Sequence, residues 1–139
     1  MDRRKFIKTG CLVCVASGTG IITLLDSCTP IPMYKTSTSD RKILVPLTEF
    51  SKYNFLIVRP GDLNYDIAVI KVSDSEFKSM VMVCTHAEYP VQFNGKEFRC
   101  SLHGSLFSST GKVKKGPAEK PLTSLKNKIV DNLLIVSLS

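Results

Sequence analysis

The stretch CTHAEYPVQFNGKEFRCSLHGS, residues 84–105, contains both histidines of the 139-residue chain, each close to a cysteine. Cys84 and His86 are separated by one residue, and Cys100 and His103 by two. Thiolates and imidazoles are common protein ligands of zinc and iron. The repeated pair therefore predicts a metal centre built from two loops, which the flanking segments must bring together.

Three interpretations of these four residues are open on their chemistry alone. Two cysteines and two histidines can hold a structural zinc ion, although zinc fingers usually place the cysteines together and the histidines together. A two-iron cluster can take both cysteines on one iron and both histidines on the other. The third interpretation is a chance grouping that binds no metal. The alternation of cysteine and histidine favours the two-iron cluster, because each loop then supplies one ligand of each kind.

The neighbouring residues resemble a known family. C-T-H, C-x-x-H-G-S and the later GKVKKGPAEKPL (111–122) are similar to the Rieske 2Fe-2S domain, and most similar to the Rieske subunits of cytochrome bc-type complexes. The resemblance implies a 2Fe-2S cofactor and assigns its ligands: two thiolates on the inner iron and two neutral imidazoles on the outer one. Cys84 and Cys100 would bind the inner iron, and His86 and His103 the outer one.

The same resemblance implies the fold, an all-β, Rieske-type antiparallel β-sandwich with a small cluster-binding subdomain at about residues 84–122. Within that subdomain, Gly116–Ala118 resembles the rigid loop that covers the third side of the cluster. Gly104 would let the backbone pass close to the cluster.

Two departures from the bc-type pattern concern the surroundings of the cluster. In that pattern each cluster loop carries a further cysteine and the two form a disulfide, but Tyr89 and Leu102 occupy these positions here. Phe107 stands where high-potential members have a tyrosine that donates a hydrogen bond to a cysteine sulfur, while Ser105 is retained as a donor to a bridging sulfide. Because fewer donors stabilise the added electron less, we expect a potential below that of quinol-oxidising members. Alternatively, Tyr89 and Leu102 simply pack the loops together.

Strand patterns flank the metal-binding stretch. Short runs rich in β-branched and aromatic residues, separated by turn-forming clusters, predict strands. These runs are KILVPLTEF (42–50), NFLIVR (54–59), DIAVIKV (66–72) and FKSMVMV (77–83). Near the end of the sequence, NKIV and LLIVSL flank Asp131-Asn132 and predict a hairpin. Beyond the N-terminal region no long helical period occurs, and residues 84–122 are expected to be largely irregular.

Residues 1–27 are predicted to be an export signal or a membrane anchor. Arg3 and Arg4 precede an uncharged run, Thr9 to Leu25, which resembles a twin-arginine export signal. The run ends in LLDSC, which resembles a lipobox, so Cys28 is a candidate for lipidation. An uncleaved anchor is the alternative, and either one tethers the domain outside the cytoplasmic membrane.

The remaining chain divides in two. Residues 28–41, rich in Pro, Ser and Thr, are predicted to be a tether, and residues 42–139 the Rieske domain. Cys11 and Cys14 form a C-x-x-C motif but lie within the apolar run, so we interpret them as apolar filler.

The charge and the residue types limit the classes of function. Nineteen basic and twelve acidic side chains give a net charge of +7, which suits an acidic partner, an anionic membrane or a diffuse positive surface. No basic stripe or nucleic-acid motif accompanies this charge, so nucleic acid is not expected as a partner. No nucleophile–base pair or paired carboxylates are evident, and the protein is therefore not expected to be a complete enzyme alone.

The resemblance implies a one-electron carrier between a quinol- or substrate-oxidising partner and a cytochrome-like acceptor. It would act alone or as a subunit of a larger oxidoreductase, as in arsenite oxidase-type complexes. One alternative is a redox-sensing or structural lipoprotein without electron flux. Another is the ferredoxin component of a Rieske dioxygenase system, which the export signal disfavours because those ferredoxins are cytoplasmic.

Overall fold

The computed structural model describes residues 30–138, which form strands joined by turns. One 3₁₀ turn, Leu47–Phe50, lies among the strands. In chain order the strands are β1 Met33–Thr36, β2 Lys42–Pro46, β3 Phe55–Pro60, β4 Ile67–Lys71, β5 Phe77–Val81, β6 Val91–Phe93, β7 Glu97–Cys100, β8 Leu106–Ser108, β9 Val113–Lys115, β10 Ser124–Leu125, β11 Asn127–Val130 and β12 Leu133–Ser137. The all-β prediction is confirmed.

The strands are arranged in three sheets. A five-stranded sheet has the order β1-β3-β4-β5-β10, a three-stranded sheet β11-β12-β2, and a four-stranded sheet β6-β7-β8-β9. Neighbouring strands are antiparallel except β1, which runs parallel to β3. The antiparallel prediction is therefore confirmed, with one parallel pair added at the edge of the larger sheet.

The five-stranded sheet is buried on both faces. Leu56 and Val58 of β3 face a core shared with the three-stranded sheet, whereas Ile57 between them faces the core that contains the metal-binding loops. Ala68 of β4 faces the same side as Ile57. Because both faces are covered at β3 and β4, these two strands are largely continuous apolar runs and lack a polar-apolar alternation.

The second core, which we call the cluster-side core, lies between the five-stranded and four-stranded sheets. Its buried residues are Ile57, Ala68, Met80, Met82, Cys84, Val91, Phe98, Cys100, Phe107, Ala118 and Leu122. Most of residues 84–122 lie in turns and loops, as expected, but the short strands β6 to β9 are also found there and were not predicted. These strands have only three or four residues each, too few to show an alternating pattern.

The predicted closing hairpin is present as β11 and β12, paired from Asn127↔Val136 to Val130↔Leu133. Asp131 and Asn132 connect them with φ of 46° and 64°. Two successive left-handed residues are the requirement of the type I′ turn, and Asp and Asn adopt that conformation more easily than most residues.

The predicted tether differs from the structure at β1. Met33–Thr36 pairs with Ile57–Pro60, and the Thr38 backbone N–H donates to Asp62 Oδ1 at 3.0 Å. Much of the segment before β2 is therefore fixed on the domain by backbone hydrogen bonds, which need no apolar pattern. The predictions for residues 1–29, Cys28 included, lie outside the described residues. No helix within residues 30–138 is long and apolar enough to cross a membrane.

Gly111 is expected to be the glycine most sensitive to substitution in the cluster-side core. Its φ is +81°, and a Cβ there would lie 2.9 Å from Met80 Sδ and 3.3 Å from Leu122 Cβ. Gly111→Ala should lower the free energy of unfolding by about 2–4 kcal/mol, from backbone strain and overpacking together. Gly95→Ala is the matched control, because Gly95 has φ +91° but nothing within 4 Å of the added Cβ. Urea unfolding of both variants measures the difference, and equal losses would contradict the overpacking.

Candidate metal centre

The two predicted metal-binding loops have the same backbone hydrogen bonds. In the first loop, residues 84–89, the Cys84 N–H donates to Tyr89 O at 2.7 Å and the Glu88 N–H to Cys84 O at 2.9 Å. In the second, residues 100–105, the Cys100 N–H donates to Ser105 O at 2.9 Å and the Gly104 N–H to Cys100 O at 3.0 Å. Each loop is therefore a tight turn that starts at a cysteine and closes on the residue five positions later.

The repeated geometry places a left-handed residue at the same step of each loop. Gly104 has φ +79° and Glu88 has φ +52°. A Cβ at Gly104 would meet nothing within 4 Å, so glycine is favoured there by its backbone conformation rather than by lack of space. Glu88 adopts a similar conformation although it carries a side chain, at a local cost in energy.

We expect Glu88→Gly to raise the free energy of unfolding by about 0.5–1 kcal/mol. The substitution removes a left-handed strain of about 1–2 kcal/mol and adds a smaller entropic cost of glycine in the unfolded chain. Glu119→Gly is the control, because Glu119 is also exposed but is not among the residues with positive φ, so that it should lose stability. Urea midpoints with an unchanged m value provide the measurement, and a loss in Glu88→Gly would contradict the strain.

The structure separates the four predicted ligands into a buried pair and an exposed pair. Cys84 and Cys100 are 1% and 0% exposed and both belong to the cluster-side core. Neither forms a disulfide. His86 and His103 are exposed, and their ring centroids lie 5.0 Å apart with an interplanar angle of 83°. Two thiols inside and two imidazoles at the surface correspond to the predicted assignment to an inner and an outer iron.

A two-iron cluster fits this donor set. Within residues 30–138, no three His, Cys, Asp or Glu side chains are grouped so as to hold one metal ion. A dinuclear cluster, however, needs only two protein ligands on each iron. Buried thiolates are costly unless a positive charge accompanies them, and iron at Cys84 and Cys100 would supply it.

Ser105 closes the second loop, Phe107 follows it in β8, and both are fully buried. Ser105 Oγ accepts a hydrogen bond from the Ala118 N–H at 3.0 Å, which leaves its own O–H available to donate. Phe107 pairs with Phe98 across β7 and β8 and presents no polar group to the cysteines. Tyr89 and Leu102 are 43% and 48% exposed and are not members of the cluster-side core.

A third segment, residues 116–122, is hydrogen-bonded to both loops, and we call it the covering segment. Its Ala118 N–H is bonded to Ser105 of the second loop, and its Lys120 carbonyl accepts a hydrogen bond from Thr85 Oγ1 of the first loop at 2.6 Å. The sequence indicates the covering role of Gly116–Ala118 but gives no sign of the Thr85 contact, because its partner is 35 positions away.

Comparison with known proteins agrees with this arrangement. The profile of the Rieske [2Fe-2S] domain matches residues 54–126. The cytochrome b6-f complex iron-sulfur subunit of Gloeobacter violaceus is 32% identical over 84 residues, covering 59% of this chain and 45% of that protein. The corresponding subunit of Trichodesmium erythraeum is 42% identical over 77 residues, covering 54% and 42%. The matched region thus spans less than half of these relatives.

Among solved structures, the chain is similar to the plasma membrane Rieske protein PetC3 of the cyanobacterium Synechocystis PCC 6803. The two superpose with a TM-score of 0.54 and 25% identity, covering 68% of this chain and 98% of that one. The similarity therefore includes nearly all of that structure.

Proposed function

The chain belongs to the family of Rieske [2Fe-2S] domains, and from that premise we propose that it is an exported, membrane-tethered one-electron carrier. It would pass electrons between a quinol- or substrate-oxidising partner and a cytochrome-like acceptor, alone or as a subunit of a larger oxidoreductase. The 2Fe-2S cluster is the cofactor of the family, and we assign its ligands here to Cys84, Cys100, His86 and His103.

The observation that carries the proposal is the division of the site into a buried and an exposed half. The cysteines lie in the cluster-side core, where the surrounding apolar side chains exclude water. The histidine rings lie close together, edge to face, at the surface, where a partner can approach them closely. An electron carrier needs this asymmetry, because the redox centre must be protected and yet close to the surface that meets its partner.

The histidines also determine the type of redox chemistry. The cluster supplies one-electron transfer when bound. Neutral imidazoles carry no negative charge, unlike thiolates, so the reduced cluster is easier to form. Its potential is therefore about −150 to +300 mV, against about −400 mV for plant-type ferredoxins. The second nitrogen of each ring can exchange a proton or hydrogen-bond a quinol. His86 and His103 are therefore placed to couple the electron to a proton at the surface.

Export and tethering rest on the sequence of residues 1–28. Arg3 and Arg4, the apolar run that follows and Cys28 support a signal with lipidation, and the similar PetC3 protein is a plasma membrane Rieske protein. The relatives from cytochrome b6-f complexes support a cytochrome-containing partner. The positive net charge of +7 favours an acidic face on that partner.

Protein-film voltammetry combined with stopped-flow spectroscopy tests the proposal on the full chain. We expect a one-electron wave within the Rieske range of about −150 to +300 mV, and rapid reduction by a quinol analogue or reoxidation by a c-type cytochrome. A wave near −400 mV would contradict the mixed ligand set. A cluster that is reducible by dithionite but exchanges no electrons with either reagent would support the redox-sensing alternative.

A further inference from the structure

In the part of the chain that the structure describes, the first loop is joined to the rest of the site by a single side-chain hydrogen bond. Within the described residues, no hydrogen bond joins the loop 84–89 directly to the loop 100–105. Both loops are instead bonded to the covering segment: Thr85 Oγ1 donates to Lys120 O at 2.6 Å, and Ser105 Oγ accepts from the Ala118 N–H at 3.0 Å. Relative placement of the two loops therefore depends on a segment that belongs to neither.

The covering segment is anchored in the core at Ala118 and Leu122, and it is held only weakly at Lys120 between them. Ala118 and Leu122 are 3% and 2% exposed in the cluster-side core, and the Leu122 N–H donates to Gly111 O at 2.9 Å. Lys120 between them is exposed. Among residues 30–138, the bond from Thr85 is the one hydrogen bond that Lys120 receives.

That bond lies beside a cavity. A space of about 690 Å³ has Thr85 and Lys120 among its lining residues, and Cys84 and Thr123 also border it. Loss of the contact between Thr85 and Lys120 would let the covering segment move away from the first loop. Water and small solutes would then have a wider path from this cavity to Cys84, which is 1% exposed in the closed arrangement.

We propose that Thr85 is a positioning residue that latches the covering segment over the first loop and thereby controls access to Cys84. Opening of this latch is the local motion through which iron is lost to solvent. The inference rests on the ligand assignment made above but is independent of the electron donor and acceptor.

Iron release from the full chain to a strong ferrous chelator under reducing conditions is the test, followed by loss of the cluster absorbance. Thr85→Val keeps the size of the side chain and removes the donor, so release should become about fivefold faster, the factor that one neutral hydrogen bond supplies. Thr85→Ser keeps the hydroxyl and should restore a rate close to that of the unmodified protein. Thr123→Val removes a hydroxyl bordering the same cavity, one that makes no side-chain hydrogen bond within residues 30–138, and should leave the rate unchanged.

The dependence on urea separates a latch from a general loss of stability. Local opening exposes little surface, so its rate depends weakly on urea, whereas release through global unfolding follows the full m value. We expect weak dependence in the unmodified protein and in Thr85→Val, so the test stands even when the variant folds poorly. Release that follows global unfolding, or that accelerates equally in Thr123→Val, would overturn the latch. Purified protein without a 2Fe-2S cluster would instead overturn the ligand assignment, and the latch with it.

Discussion

Replacement of Cys100 is expected to abolish cluster binding. Cys100 ends β7, is fully buried and shares the cluster-side core with Cys84. No other cysteine within residues 30–138 can take its place, since Cys84 and Cys100 are the two that this region contains. Removal of one thiolate leaves an iron with a single protein ligand, so Cys100→Ala should reduce bound iron and sulfide to near zero. Iron and acid-labile sulfide analysis with visible absorption is the measurement.

Alanine is preferred to serine at this position because it adds no unpaired hydroxyl to an apolar core, which would cost about 1–3 kcal/mol. Far-UV circular dichroism establishes whether the sheets persist without the cluster. Ser101→Ala, at the exposed neighbouring residue, is the control and should retain full iron content. Stoichiometric cluster in Cys100→Ala would contradict the assignment.

Phe107→Tyr is expected to raise the reduction potential by several tens of millivolts, with about 130 mV as the upper limit if the whole bond energy favours the reduced cluster. Phe107 is fully buried in the same core as the two cysteines, and the resemblance places a sulfur within reach of a hydroxyl on its ring. A hydrogen bond to a charged acceptor contributes about 1.5–3 kcal/mol, and about 1.4 kcal/mol corresponds to 59 mV for one electron. Because the reduced cluster carries the additional negative charge, the bond stabilises it more than the oxidised one. Protein-film voltammetry measures the shift.

Phe98→Tyr is a closely matched control. Phe98 is equally buried and is paired with Phe107 across the sheet, but its ring packs against Phe93 and Phe55 at centroid distances of 4.7 and 6.2 Å. A hydroxyl there should lower the free energy of unfolding and leave the reduction potential unchanged. Equal shifts in both variants, or none in Phe107→Tyr with an intact cluster, would contradict the hydrogen-bond explanation.

The sequence predicts those features that depend on local chemistry. Asp131-Asn132 suits a two-residue turn by its own conformational preferences, and β11 and β12 follow on either side. The alternating cysteines and histidines indicate their division between two irons without any knowledge of the fold. Long apolar runs such as β3 predict strands because a strand that is buried on both faces needs apolar side chains at consecutive positions.

Features that depend on distant partners are not predictable in this way. β1 is held by the backbone edge of β3, more than 20 positions away in the chain, and its own side chains carry no pattern. The strands of the four-stranded sheet are too short for periodicity and owe their existence to pairing with one another. Thr85 lies between two predicted ligands, yet its hydrogen bond to Lys120 becomes visible only when the covering segment is placed.

The pairing of β1 with β3 would limit how far a domain that is tethered as proposed can reach from the membrane. With attachment at Cys28 as proposed, only residues 29–32 separate the lipid from a strand fixed on the domain, and that length extends to about 18 Å at most. The domain would then pivot close to the bilayer and could not swing between distant docking sites. Electron delivery would therefore require an acceptor that diffuses to the domain or one that is assembled beside it.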